Sequence, residues 1–156
     1  MKLIKDVINE KLTGETQKNM LELVTFMQKN GFSFEGFASG NDVRWTATYK
    51  GKDIGCVAVA EESMLSAGTS IALWLGLECD FDDNGSVNDE LKDFTWSHVV
   101  VCPQEKYCKP PYCEGSKNPW EVFGKKYEST CHSPLQFIGL DAENLAKLKE
   151  LLLASK

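Results

Sequence analysis

Four of the six cysteines, Cys102, Cys108, Cys113 and Cys131, fall within thirty residues, separated by five, four and seventeen positions. Thiolates are the soft donors that close a tetrahedron around Zn²⁺, and Pro103, Pro110, Pro111 and Gly115 set turns without demanding ladder hydrogen bonds. The cluster therefore reads as a loop organised by zinc. A four-thiolate centre carries a charge of about −2, and Lys106, Lys109, Lys117, Lys125 and Lys126 outnumber the four glutamates of the same stretch. Nearby cations of this kind offset bound thiolates. The spacing departs from the C-x2-4-C knuckle of most structural zinc sites, and His132, beside Cys131, can replace one ligand. Two other readings of the same residues stay open: inert buried thiols, or thiols exchanging with disulfides in a redox protein or metal sensor. Cys56 and Cys79 lie in or at the end of apolar runs and read as core.

Asp80-Phe81-Asp82-Asp83-Asn84-Gly85-Ser86-Val87 resembles the first eight positions of an EF-hand loop, but Leu91 stands where the bidentate Glu belongs. An acidic turn leading into a helix is the simpler reading. Catalytic patterns are thin. His98 and His132 are the two histidines, Cys131 and His132 are chain neighbours, and the chain contains no GxSxG, P-loop, GxGxxG or HExxH. The remaining feature with binding potential is aromatic. Trp45, Tyr49, Trp74 and Trp96 are candidates to line an apolar pocket for a small-molecule ligand on the sheet face that helices leave uncovered.

These residues need elements to hold them. At 156 residues, 42% hydrophobic and 26% charged, the chain has the size and composition of a single globular domain, 1–156, able to bury its own core. Its amino-terminal stretch lacks the pattern of a signal or transit peptide, and no run is apolar enough for a membrane span, so a cytoplasmic protein with reduced thiols is expected. The formal charge of −6, with pI near 5.0, argues against nucleic-acid and anionic-membrane partners. That charge is concentrated: Glu78 to Asp93 holds seven acids against Lys92 and alone sums to −6.

Met20, Leu23, Val24 and Met27 predict a helix from about Glu15 to Asn30, ended by Gly31. Residues 2–12 fit either a short helix or an arm. Phe32, Phe34 and Phe37 lead into Val43, Trp45, Ala47 and Tyr49, which alternate with Arg44, Thr46 and Thr48 as a half-buried strand. A tight hairpin turn at Lys50-Gly51-Lys52-Asp53 enters Ile54–Ala60, whose near-continuous apolar run predicts burial on both faces. Ser70–Leu77 is the next strand. Asn88 or Asp89 caps a helix to about His98, short extended pieces surround Phe123 and Phe137, and Asp141 caps a last helix with Leu145, Leu148, Leu151 and Leu152 inward. The expected fold is α+β: an antiparallel meander of about four to five strands, helices on one face, and a metal-held loop, 102–131, before the last strand and helix.

The pattern carried by Trp45, Tyr49-Lys50-Gly51-Lys52, Asn88-Asp89-Glu90-Leu91, Trp96, the clustered cysteines, Phe123-Gly124-Lys125-Lys126-Tyr127 and Cys131 resembles a family of small uncharacterised Firmicutes proteins. The resemblance covers about residues 20–150 and implies a single-domain cytoplasmic protein whose Cys131 shares a site with the upstream cysteines. A more distant likeness, in element order, is to gyrase-inhibitor-like small-molecule-binding domains. Together these readings describe a non-enzymatic cytoplasmic module that binds a small molecule or a partner, with a structural zinc site.

Overall fold

A computed structural model describes residues 3–39, 42–60, 70–75, 87–102 and 118–155. In chain order the elements are α1 (Ile4–Lys11), α2 (Gly14–Lys29), β1 (Phe32–Ser39), β2 (Asp42–Tyr49), β3 (Lys52–Ala60), β4 (Ser70–Leu75), α3 (Asp89–Ser97), β5 (Val99–Val101), β6 (Asn118–Val122), β7 (Lys125–Ile138) and α4 (Ala142–Ala154). The fold is α+β. Among the described residues the strands form one antiparallel sheet of seven, in the order β1-β2-β3-β4-β7-β5 with β6 also on β7, more than the four or five expected from sequence.

The additional strands come from β7. Its first half pairs with β6 through Val122↔Lys125 to Asn118↔Thr130, and its last residues pair with β4 from Leu75↔Leu135 to Ala72↔Ile138. Across the other edge, β5 bridges both halves through Val101↔Thr130 and Val99↔Leu135. One long strand thus joins the meander to the β6–β7 hairpin, where the sequence suggested two short pieces.

Two hairpins turn on residues with positive φ, Lys50-Gly51 (50° and 78°) and Phe123-Gly124 (49° and 76°). Both are type I′ geometry, whose twist matches that of the flanking strands.

Helices cover one face. α2 packs against α1, α4 and β1, and α3 packs against α4. Ile4, Val7 and Ile8 of α1, Met20, Leu23, Val24 and Met27 of α2, and Leu145, Leu148, Leu151 and Leu152 of α4 are buried over Phe32, Trp45, Ala47, Val57, Val59, Leu73, Leu75, Leu135 and Phe137. Residues 4–11 are therefore a core helix. Its apolar side follows the i, i+3, i+4 spacing that buries one stripe of a helix. In β3 the expectation of burial on both faces is corrected: Val57 and Val59 are buried, whereas Cys56 and Ala58 between them are half-buried, since the helices lie on one side only. Asn19, buried on α2, donates from Nδ2 to the Leu140 carbonyl at 2.7 Å and ties α2 to the turn before α4. Asn88 and Asp141 cap α3 and α4 by accepting from Leu91 N and Asn144 N at 2.8 and 2.7 Å.

Two lysines clamp the helices. Lys147 lies 3.0 Å from both Glu143 and Glu90 and above the Phe94 ring, joining α4 to α3. Its hydrogen bonds to these carboxylates raise its pKa above the ordinary 10.5. Lys149 bridges α4 to Glu22 of α2, and this hydrogen bond and charge hold the Glu22 carboxyl below its ordinary 4.5. A carboxylate lowered in the folded state contributes stability above its unfolded pKa and loses it on protonation. Wild type and Glu22→Gln should therefore differ in denaturation midpoint at pH 7, with the gap closing as pH falls below about 4.5. A gap unchanged down to pH 3 would show that Glu22–Lys149 contributes nothing. The pair is solvent-screened, so the effect is small.

Candidate functional site

A cleft of about 400 Å³ opens between the start of α1, the end of α2 and strand β1, lined by Leu3, Ile4, Lys5, Gln28, Phe34, Glu35, Gly36 and Trp45. Trp45 is its floor. The indole is only 2% exposed and lies across β1 at Gly36, its cross-strand partner. A Cβ at Gly36 would stand 2.5 Å from Trp45 Nε1 and 2.6 Å from Cδ1, so glycine is the residue that lets the indole lie there. Around this floor Ile4 is buried, Phe34 half-buried and Leu3 71% exposed, giving an apolar wall that continues to the surface. Lys5, Glu35 and Gln28 supply the polar groups at the rim. Apolar lining with a few convergent polar groups is the usual make-up of a ligand site.

The four aromatic residues expected to share a pocket are distributed over the molecule. Trp45 and Tyr49 project from β2 onto the helix-covered face, Tyr49 packing on Phe32 with ring centroids 4.7 Å apart. Trp74 lies on β4, where its backbone is the register partner of Cys56 and Gln136. Trp96 sits on α3, its Nε1 donating to the Val122 carbonyl at 3.0 Å, with the Lys125 ammonium 5.4 Å from its ring and 5.5 Å from that of Tyr127. Trp45 lines the cleft, and among the described side chains Tyr49 and Trp96 do not. The other lining residues were not singled out from sequence. Gly36 within the strand pattern of β1 was the available signal, because a glycine there marks a close approach.

For the cysteines, Cys108 and Cys113 lie outside the described residues, as do Cys79 and the Asp80–Ser86 part of the EF-hand-like segment. Cys102 directly follows β5 and is 5% exposed. Its N–H donates to the Ser129 carbonyl at 3.1 Å, which sets it on the strand beside β7, two residues from Cys131 in that chain direction. The sheet thus brings the first and last of the four candidate ligands onto adjacent strands. Among the described residues no three His, Cys, Asp or Glu side chains gather into a metal-binding group. Ser129 Oγ and Tyr127 Oη of β7 are buried without a hydrogen-bond partner among the described residues.

His98 terminates α3. Its Nδ1 lies 2.7 Å from the Phe94 carbonyl, which can only accept, so Nδ1 carries the proton of this bond. The ring packs on Phe94 and Phe137 with centroids 4.5 and 4.6 Å away. These contacts hold the imidazole as a helix terminator and a lid on the core.

No protein-family model, curated protein or solved structure matches this chain. Among the described residues no helix is long and apolar enough to cross a membrane.

Proposed function

We propose that this chain is a non-enzymatic binding module whose ligand occupies the cleft floored by Trp45. The observation that carries the reading is the cleft itself: Gly36, a strand residue without a side chain, packs directly on the buried Trp45 indole beneath a cleft walled by Leu3, Ile4 and Phe34. Covering the exposed Leu3 and half-buried Phe34 beneath a ligand is the largest favourable term available to such an apolar site. 8-Anilinonaphthalene-1-sulfonate, which pairs an apolar body with one anionic group, is a suitable probe. Its titration should shift the Trp45 indole N–H and the Ile4 methyl resonances in NMR spectra while those of Trp96 stay in place. Shifts at Trp96 with none at Trp45 would overturn the assignment.

The same proposal includes a zinc ion held by Cys102, Cys108, Cys113 and Cys131, which would tie the segment between β5 and β7 to the sheet. The adjacency of Cys102 and β7 supports it. Protein purified without chelator should carry one zinc per chain by atomic emission, and Cys102→Ser should lower that content. Metal-free protein whose thiols react freely before denaturation would refute the zinc and favour the thiol-exchange alternative.

A further inference from the structure

One wall of the cleft is the open edge of a strand. Among the described residues β1 is the terminal strand of the sheet and pairs only with β2. The register Ser39↔Asp42 flanks two residues, and in a two-residue hairpin the flanking pair exchanges both backbone hydrogen bonds. Alternation from that pair makes Phe37↔Arg44 and Glu35↔Thr46 hydrogen-bonded, and leaves Gly36↔Trp45 and Phe34↔Ala47 without bonds between them. The N–H and C=O groups of Phe34 and Gly36 therefore point away from β2, toward the cleft. Both residues line it, opposite Leu3, Ile4 and Lys5 of α1. A groove between an unpaired strand edge and a helix offers main-chain hydrogen bonds on one side and side-chain pockets on the other, which is what strand addition of a peptide requires.

We propose that the occupant of this cleft is an extended peptide segment of another protein that adds to β1 as a further strand, with apolar and basic residues alternating. The inference rests on the binding reading above and names the class of ligand. Alternation follows from the two faces of β1. Phe34 and Gly36 share the helix-side face with Leu3 and Ile4, so peptide residues on that side are apolar. Glu35, exposed between them, alternates to the other side and carries no ion pair among the described residues, so the peptide residue beside it is Lys or Arg. The same carboxylate disfavours a second copy of this chain. In an antiparallel β1–β1 pairing centred between Phe34 and Gly36, the two Glu35 side chains would stand opposite or diagonal on one face.

The test uses the hexapeptide Lys-Val-Lys-Val-Lys-Val, its Glu-Val counterpart and a block peptide of three lysines followed by three valines. Hydrogen exchange is followed at the Phe34 and Gly36 amides of the intact chain. At saturation the Lys-Val peptide should slow both amides by about tenfold or more, the other two peptides should not, and Glu35→Lys should transfer the preference to the Glu-Val peptide. Trp45 shifts with 8-anilinonaphthalene-1-sulfonate but no protection of Phe34 and Gly36 by any peptide would overturn strand addition and leave the binding reading standing. Failure of both probes would sink both. Protection that appears in the protein alone and rises with its concentration would assign the edge to a second copy and overturn the peptide.

Discussion

Trp45→Ala should lower the unfolding free energy by about 3–5 kcal/mol, the usual cost of truncating a buried tryptophan, and should abolish dye binding in the cleft. The first effect follows from burial. The indole is 2% exposed and belongs to the cluster that joins α1, α2, β1 and β2, so its removal opens a cavity that Gly36, with no side chain, cannot refill. For a chain of this length each kcal/mol moves Tm by about 2–4 °C, so a thermal melt should fall by about 10 °C. The second effect separates a ligand floor from a mere core residue. Trp45→Phe keeps an apolar ring at the position and should retain the fold at smaller cost, with dye affinity reduced rather than lost. Trp96→Ala is the counterpart at the other end of the sheet. It loses one half-buried ring and the bond to the Val122 carbonyl, and should leave the cleft's dye affinity unchanged. Dye binding that survives Trp45→Ala but falls with Trp96→Ala would move the site to the β6–β7 hairpin.

The comparison of Trp45 with Trp74 shows which part of the site was legible in the sequence. Trp45 lies in Val43–Tyr49, where polar residues alternate with apolar ones, so its inward direction was readable from period two alone. Trp74 lies in Ile71–Leu75, an unbroken apolar run with no phase. Its register depends on pairing with Cys56 and Gln136, which are 18 and 62 positions away. Which aromatic residues become neighbours is likewise a property of strand order, and strand order is non-local. Helices α2 and α4 were visible because their apolar stripes run three turns or more between a cap and a stop. In α1 the stripe is two turns, crossed by Lys5, Asp6, Asn9 and Glu10, and its burial depends on α2 lying beside it. β5, three residues long, falls below any periodic signal. The cleft was missed for the same reason: its walls come from Leu3–Lys5, Gln28 and Phe34–Gly36, three segments that only the tertiary fold assembles.

That assembly depends on β7, and Phe137→Ala is where it should fail most. Phe137 is 2% exposed, faces Leu73 across the β4–β7 ladder, and stacks on Phe94 of α3 and on His98 at centroid distances of 5.6 and 4.6 Å. It therefore joins three things at one point: the meander, the strand that carries the hairpin, and the helix that leads into Cys102. Truncation removes the ring that both Phe94 and His98 rest on, and neither can close the gap, because Nδ1 of His98 is held by the Phe94 carbonyl. A loss of about 3–5 kcal/mol follows from the buried volume, with a further loss from the ring–ring contacts of about 0.5–1.5 kcal/mol. Ile138, the next residue, is 45% exposed on the opposite face, and Ile138→Ala should stay within about 0.5 kcal/mol of wild type, as surface substitutions do. Equilibrium denaturation in urea reads both variants. Equal midpoints for the two would mean that the α3–β7 contact does not couple the hairpin to the meander. A large loss confined to Phe137→Ala, together with faster exchange at Val100 and Thr130, would show that the two halves of β7 unfold through this one joint.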